Sequence, residues 1–281
     1  MPRAPGGLVP PELPEVETTR RGLAEALPGR VVRSLLVAER RLRRPVATGL
    51  ARRIEGQSVR AIERRGKYLI LRLDSGGLLI HLGMSGSLRL VPAGEPSRTH
   101  DRWTLVFREG TALRMHDPRR FSLLQYSARP ENDPLVRDLG PEPLETPEEE
   151  LARHLRARAA GRRGAVKAFL MDGRVIAGLG NIYANEALHR AGVRPGRASG
   201  RVRAAEWARL AAAIHAVLED ALASGGSTLR DYLGVDGRAG LFRLRLDVYG
   251  RAGEGCRRCG TEIRSLRLSG RGSYYCPRCQ S

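Results

Sequence analysis

Four cysteines, all within the last 26 residues, restrict what this 281-residue chain can fold into more than any other feature. They read Cys256-x2-Cys259-x16-Cys276-x2-Cys279. Each C-x2-C pair forms a tight knuckle, and two knuckles complete a tetrahedral shell of thiolates around Zn2+. Because four thiolates leave no coordination position for water, the pattern predicts one structural zinc ion. Two disulfides in a secreted tail are the alternative, and nothing in the sequence suggests secretion.

The segment between the cysteine pairs, Ile263–Tyr275, alternates enough to predict a β-hairpin with its turn at Ser269–Gly272. A ribbon of this size buries too little apolar surface to fold alone, so bound zinc is expected to supply its folding energy.

The charge balance points to a polyanionic partner. The chain has 49 Lys and Arg against 30 Asp and Glu, a net charge of +19, which indicates nucleic acid or an anionic membrane surface. No segment approaches the ~18 apolar residues of a membrane span, and Met1–Pro10 has no apolar core of signal-peptide length. We therefore expect a soluble, cytoplasmic protein that contacts nucleic acid and no membrane.

Only two of the basic residues are lysines, Lys67 and Lys167, and the rest are arginines. Codon bias accounts for the excess of arginine. Against that background, a retained lysine offers what arginine cannot, a compact ammonium group that can give up its proton.

Hydrophobic periodicity divides the chain into a helix, a run of strands and a run of helices. Residues 15–27 have helical spacing, with Pro14 in the first turn and Gly29 just past the end. Strands are predicted over Val31–Val37, Ser58–Leu73, Gly77–Val91, Trp103–Phe107, Ala112–His116 and Phe121–Tyr126. Helices are predicted over 147–158, 166–172, 182–191 and 205–223, the first opening on a capping box at Thr146–Glu149. The expected fold class is α+β, an N-terminal helix plus an antiparallel β-sandwich, followed by a helical domain and a zinc ribbon.

Six motifs occur in order along the chain: Pro11–Leu23, Arg65–Leu69, His81–Arg89, Asp117–Phe121, Leu139–Leu144 and Gly178–Glu186. Together with the cysteine pattern they resemble the bacterial formamidopyrimidine-DNA glycosylase family (Fpg/MutM), over residues 11 to 279. The resemblance implies a monomeric, nucleoid-associated bacterial enzyme of base excision repair. Its partner would be double-stranded DNA that contains oxidised bases or abasic sites. It would excise oxidised purines, such as 8-oxoguanine and formamidopyrimidines, and then cleave the strand as an abasic-site lyase.

The resemblance also implies a domain order. Residues 11–141 would form the β-sandwich catalytic domain, 142–235 a helix–two-turns–helix DNA-binding domain, and 236–281 the zinc ribbon. Residues 1–10 would be an extension or the result of a misassigned start.

The resemblance assigns four catalytic residues. The secondary amine of Pro11 would attack C1′ of the damaged nucleotide and form an iminium that acts as an electron sink. Glu12 would be the acid and base at the sugar and the leaving base, although a helix N-terminal charge is its plainer interpretation. Lys67 would donate a proton near the lesion, and Arg271 would hold the phosphate and assist the second elimination.

The family excises bases that are rotated out of the duplex, so other residues must fill the gap and hold the strand. Met84, Arg119 and Phe121 match the inserted residues. Asn181 begins a helix after Gly178-Leu179-Gly180, where backbone amides can bind a phosphate. Further DNA contacts are expected from His100, Arg163 and Lys167 and, more weakly, from His81 and Tyr183. His189 and His215 are expected to be ordinary helix-surface or core residues.

Two features favour the purine branch over the related endonuclease VIII group, which prefers oxidised pyrimidines. Leu13 stands where that group has glycine, and a glycine-rich segment, Asp231–Phe242, matches the loop that covers a purine. An endonuclease VIII-like enzyme remains one alternative. A lesion-binding protein without catalysis and a basic zinc-ribbon protein of the ribosome or transcription machinery are the others.

The position of Pro11 conflicts with catalysis as the sequence is written. Ten residues precede it, and an amide nitrogen cannot form an iminium, whereas a free α-amine has a pKa of ~8. Translation could start at Val9 and expose Pro10, the tail Pro2–Pro10 could be removed, or Pro2 could be the mature end. We expect a misassigned start or processing.

Overall fold

The computed structural model describes residues 10–224 and 246–281. They form two compact units, one of residues 10–137 and one of residues 138–223 with 246–281. Most of the N-terminal extension and the glycine-rich segment Asp231–Phe242 lie outside the described residues.

The first unit opens with helix α1 (Leu13–Ala26), which begins two residues before the predicted start. Its N-cap is Glu12, and the Glu12 amide donates to Glu15 Oε2 at 2.9 Å in a reciprocal capping box. Pro14 lies in the first turn, where its missing N–H costs no helical hydrogen bond. Gly29 follows the helix with φ +85°, a left-handed conformation that glycine adopts without strain.

Eight antiparallel strands, two short α-helices and one 3-10 helix (Pro130–Asn132) complete the first unit. The strands are β1 (Val32–Val37), β2 (Val59–Arg65), β3 (Tyr68–Leu73), β4 (Gly77–His81), β5 (Ser87–Pro92), β6 (Asp101–Phe107), β7 (Thr111–His116) and β8 (Leu123–Ser127). The helices are α2 (Leu50–Ile54) and α3 (Pro134–Arg137), neither of which was predicted.

The strands form two four-stranded sheets, ordered β1-β6-β7-β5 and β2-β3-β4-β8. Side chains of α1 and of both sheets share one apolar cluster that includes Val16, Leu71, Trp103 and Leu113. The predicted sandwich is therefore confirmed.

Two predicted strands are wrong because each is interrupted. The segment Ser58–Leu73 turns back at Gly66-Lys67, which becomes the two-residue turn of the β2–β3 hairpin. The segment Gly77–Val91 divides into β4 and β5, which belong to different sheets. Its middle residues, 82–86, therefore cross from one sheet to the other. Both β4 and β5 contain buried apolar residues, so the sequence on the two sides of residues 82–86 resembles one continuous apolar strand.

The second unit contains the predicted helices as α4 (Glu148–Ala159), α5 (Val166–Leu170), α6 (Asn181–Ala191) and α7 (Ala204–Ala223). The predicted capping box at Thr146–Glu149 is wrong, because Pro147 is the N-cap and no side chain caps the helix. Helix α7 packs against α4 and α6 through residues such as Trp207 and Leu210.

The ribbon hairpin consists of β9 (Arg264–Leu268) and β10 (Arg271–Tyr275). Its turn is only Ser269-Gly270, with φ +47° and +75°, the positive angles that a two-residue hairpin turn requires. The predicted four-residue turn is therefore too long, since Arg271 already pairs with Leu268.

Helix α6 holds this ribbon by polar contacts. The buried Glu186 carboxylate accepts the amides of Asp247, Val248 and Tyr249 at 2.8–3.1 Å. Asn185 Oδ1 accepts the Tyr274 amide at 2.8 Å. Among residues 10–224 and 246–281, none of the helices has the length and apolar character of a membrane-spanning segment.

Candidate active site

Helix α1 runs antiparallel to β2, and this arrangement places its N-terminus. At the C-terminal end of α1, the Gly29 amide donates to the Val59 carbonyl at 2.8 Å, where β2 begins. Near the N-terminal end, Glu17 Oε2 accepts Arg64 Nε at 3.0 Å, where β2 ends. Pro11 and Glu12 are therefore directed toward the hairpin turn that carries Lys67.

Pro11 is half-buried, and Glu12 is only 1% exposed. Glu12 caps the N-terminus of α1, so its carboxylate does have the structural role that the sequence allowed as an alternative to catalysis. Its role as acid and base stays a prediction, as do the roles of Pro11 and Lys67. The structure places all three at the same end of the α1–β2 pair.

Glu17 anchors this end of the helix. Burial raises the pKa of its carboxyl, but hydrogen bonds from Arg20, Arg21 and Arg64 outweigh that and lower the pKa to about 2. Arg64 is the buried partner, with its side chain 6% exposed. This cluster was not predicted, because in a chain so rich in arginine nothing marks these three arginines until β2 is placed beside α1.

His81, on β4, lies opposite Tyr68, on β3. The two rings meet edge-on, with their centroids 4.9 Å apart. Burial, together with the positive charges of Arg43 and Lys67, lowers the pKa of His81 to about 3. The ring is therefore neutral at physiological pH. Its Nδ1 accepts the Gly83 amide at 2.9 Å, so the proton is on Nε2 and can be donated. The predicted phosphate contact of His81 stays a prediction.

Two loops bring the predicted insertion residues near one another. Met84, half-buried, lies in the crossing segment 82–86, and Phe121, 45% exposed, follows β7. A Cβ on Gly83 would lie 2.5 Å from the Phe121 carbonyl carbon, so the two backbones touch. The exposed Arg119 guanidinium stacks 5.0 Å above the Phe121 ring. The exposure of Phe121 and Arg119 is compatible with their predicted insertion into the DNA duplex, which stays a prediction.

The buried Asp117 holds the second loop in place. Its carboxylate accepts the Arg119 amide at 3.1 Å and the Ser122 amide at 2.8 Å. The Asp117 amide donates to the carbonyl of His100, an exposed residue with φ +74°. His100 therefore adjoins the base of the Arg119 loop. Asp117 begins the motif Asp117–Phe121, but no role was predicted for it, although an Asp-Pro dipeptide is a known turn signal.

In the second unit, Asn181 is the first residue of α6 after the N-cap Gly180. Its Oδ1 is buried without a hydrogen-bond partner. The backbone amides of the first turn of α6 suit an anion, whereas the Asn181 oxygen is an acceptor and needs a donor. Arg163 is exposed between α4 and α5. Tyr183 is completely buried, which leaves its hydroxyl no access to a phosphate in this conformation.

Lys167 does not lie on the surface as the predicted DNA contact requires. It is 1% exposed, and its Nζ donates to the Gly272 carbonyl at 2.6 Å and to Ser273 Oγ at 2.7 Å. These bonds tie α5 to β10. Arg271, the first residue of β10, is exposed, and with Lys167, Asp172 and Ser269 it lines a cavity of about 240 Å3. Local sequence could not show that the ribbon folds back over Lys167.

The four cysteine sulfurs lie within 4.8 Å of one another. Three of the sulfur pairs are 3.4, 3.5 and 3.9 Å apart. A tetrahedral zinc with Zn–S bonds of ~2.3 Å sets its sulfurs about 3.8 Å apart, so the cluster fits a metal ion. His189 is fully buried, which agrees with the core position that was one of its two predicted environments. Its Nε2 is 3.7 Å from Cys256 Sγ.

Comparisons with known proteins agree over both units. Family models match for the formamidopyrimidine-DNA glycosylase N-terminal domain (residues 10–124), the formamidopyrimidine-DNA glycosylase H2TH domain (139–232) and the zinc finger found in FPG and IleRS (253–281). The formamidopyrimidine-DNA glycosylase of Alkalilimnicola ehrlichii is 50% identical over 277 residues, which cover 96% of this chain and 99% of that protein.

Two solved structures of the Lactococcus lactis protein are also similar, and each match covers 96% of this chain and 100% of that one. A mutant in complex with a Fapy-dG containing DNA matches with a TM-score of 0.87 at 32% identity. The complex with an abasic site containing DNA matches with a TM-score of 0.86 at 33% identity. The chain belongs to the formamidopyrimidine-DNA glycosylase family of DNA repair enzymes.

Proposed function

We propose that this glycosylase excises oxidised purines from double-stranded DNA and cleaves the resulting abasic site through a Schiff base on an N-terminal proline. The observation that carries the proposal is the antiparallel pairing of α1 with β2, which directs Pro11 and Glu12 toward the Lys67 turn. The relatives solved with Fapy-dG and abasic-site DNA support the choice of substrates.

The chemistry requires that Pro11 carry a free secondary amine. Its lone pair bonds to C1′ while the glycosidic bond breaks, and the base leaves with the bonding electrons and takes up a proton that Glu12 or Lys67 supplies. Opening of the sugar ring gives a cationic iminium. The iminium accepts electrons as the C2′ proton is removed, so the 3′ phosphate leaves, and a second elimination releases the 5′ phosphate. Water then hydrolyses the iminium and restores the proline.

The exposed pair of Arg119 and Phe121, beside the Met84 loop, would fill the space that the extruded base vacates. Arg119 would hydrogen-bond the orphaned cytosine and Phe121 would act as a wedge. Arg271 would hold the phosphate of the damaged nucleotide from its exposed place at the start of β10. His100, Arg163 and Asn181 would contact other phosphates.

We also propose that the metal of the four-cysteine cluster is Zn2+ and that it is structural. When bound it cross-links the two knuckles and supplies no reactive water, since all four positions are thiolates. The cluster closes the ribbon whose β10 carries Arg271, so the metal would hold that arginine in place.

The test is reductive trapping. Native protein, with its N-terminus determined by intact mass, is treated with borohydride in the presence of an 8-oxoguanine duplex, an oxidised-pyrimidine duplex or an undamaged duplex. The expected result is a covalent adduct with the 8-oxoguanine duplex above all. Glu12→Gln, which keeps an acceptor oxygen for the cap, should fold normally and excise at least ~100-fold more slowly.

Other outcomes identify the alternatives. A mobility shift without any adduct would leave only a lesion-binding protein. Preferential trapping on the oxidised pyrimidine would favour the endonuclease VIII-like activity. In either of these cases the proposal is wrong.

A further inference from the structure

We propose that Arg64 is a positioning residue for this reaction, because it links the helix that carries Pro11 and Glu12 to the turn that carries Lys67. The inference rests on the proposed function, in which those three residues act on the same nucleotide. Arg64 itself would touch neither the DNA nor the reacting atoms.

The link consists of two contacts made by one guanidinium group. Arg64 Nε donates to Glu17 Oε2 on α1 at 3.0 Å, and Arg64 Nη1 donates to the Gly66 carbonyl at 3.3 Å. Gly66 and Lys67 are the two residues of the β2–β3 turn, closed by the pair Arg65–Tyr68. One side chain therefore connects the first turns of α1 to the peptide unit that joins Gly66 to Lys67.

Burial makes this connection stiff. The Arg64 and Glu17 side chains are 6% and 10% exposed, so water competes little for either contact. The planar guanidinium presents its donors in a fixed fork, which allows it to bind two acceptors at a set angle. A lysine ammonium at the same place could reach one of them but would not fix their relative geometry.

The other partners of Glu17 do not provide this link. Arg20 and Arg21 also bind its carboxylate, but both lie on α1 itself, at i+3 and i+4. Each of them forms an ion pair with Glu17 from within the helix. The connection to Gly66 is thus what Arg64 adds, and it bears on a turn whose Gly66 has φ +56°. Displacing a reacting group by ~1 Å can cost about 100-fold in rate.

The experiment compares Arg64→Lys and Arg64→Gln with a matched control, Arg21→Gln. Arg21 makes the same kind of ion pair with Glu17, but its side chain is 58% exposed and the pair lies within α1. Each variant is tested for thermal stability, for affinity to an 8-oxoguanine duplex and for the single-turnover rate of excision. We expect Arg64→Lys to keep its affinity within about threefold and to excise at least ~10-fold more slowly, whereas Arg21→Gln excises at the wild-type rate.

A double-mutant cycle separates positioning from a merely structural role. If Arg64 acts through Lys67, then Lys67→Met combined with Arg64→Lys should be no slower than Lys67→Met alone. If Arg64 only stabilises the unit, the two losses should multiply.

Three results are decisive. Multiplying losses, or an Arg64→Lys rate within twofold of the Arg21→Gln control, would overturn the inference. Should Arg64→Gln fail to fold, the comparison of Arg64→Lys with Arg21→Gln still decides. If wild-type protein neither excises nor traps, the proposed function itself has failed, and that outcome is distinct from a wild-type enzyme that is indifferent to Arg64.

Discussion

The Glu17 carboxylate makes the stability of the first unit depend on pH in a way that can be calculated. Its two oxygens accept four hydrogen bonds, at 2.9–3.0 Å, from Arg20, Arg21 and Arg64. These outweigh burial and bring the pKa from 4.5 to about 2. Since a tenfold change in proton affinity is worth about 1.4 kcal/mol, the ionised carboxylate contributes about 3 kcal/mol to folding at pH 7.

The sign follows from a pKa that is lower in the folded than in the unfolded state. The contribution of Glu17 is complete above pH 4.5, where the unfolded carboxyl is ionised, and is lost as pH falls toward 2. At pH 3 about 1.4 kcal/mol should remain. In Glu17→Gln this pH dependence is absent. The gap in unfolding free energy between wild type and variant should therefore narrow by about 2 kcal/mol from pH 7 to pH 3.

Tryptophan fluorescence can follow this unit by itself. The chain has two tryptophans, the buried Trp103 in the first unit and Trp207 in the second. In a Trp207→Phe background, urea unfolding read from Trp103 reports on the first unit for wild type and Glu17→Gln alike. A gap in unfolding free energy that stays constant from pH 7 to pH 3 would mean that the arginines do not stabilise the ionised Glu17 carboxylate.

Four further changes have expected outcomes. Gly83→Ala should lower the melting temperature, since its Cβ would lie 2.5 Å from the Phe121 carbonyl carbon at φ +74°, at a cost of about 1–3 kcal/mol. Because the Arg119 side chain is exposed, Arg119→Gln should change the free energy of unfolding by less than ~0.5 kcal/mol. It should nevertheless weaken binding in a titration with lesion-containing duplex. Lys167→Met leaves two ribbon acceptors without their donor and should cost about 2–4 kcal/mol, measured by thermal unfolding. Cys276→Ser should abolish stoichiometric zinc in elemental analysis and speed proteolysis of the ribbon.

Features set by short-range chemistry were predicted correctly. The spacing of the cysteines is sufficient to specify a cluster, and the four sulfurs do converge. The helices α4, α6 and α7 lie within one residue of their predicted ends because their periodicity is long and regular. The short helix α5 ends two residues before its predicted end. The exposure of Phe121 follows from its place in a loop motif between strands.

Features set by contacts between distant segments were not predicted. Lys167 looks like a surface cation in sequence, and only the return of the chain as β10, more than 100 residues later, buries it. The division of Gly77–Val91 between two sheets depends on which strands pair, and both halves are apolar in either case. Residues Thr146–Glu149 match the sequence pattern of a capping box, but α4 begins at Glu148 with Pro147 as its N-cap and does not form that box.

The attachment point of the reduced DNA adduct shows which residue forms the Schiff base. Native protein trapped on an 8-oxoguanine duplex is digested, and the peptide that carries the sugar remnant is located by mass spectrometry. The chain offers few competing amines, because its only lysines are Lys67 and Lys167. We predict the remnant on the proline that begins the mature chain, at the position of Pro11. A remnant on Lys67, or an unmodified N-terminal peptide beside an active enzyme, would contradict it.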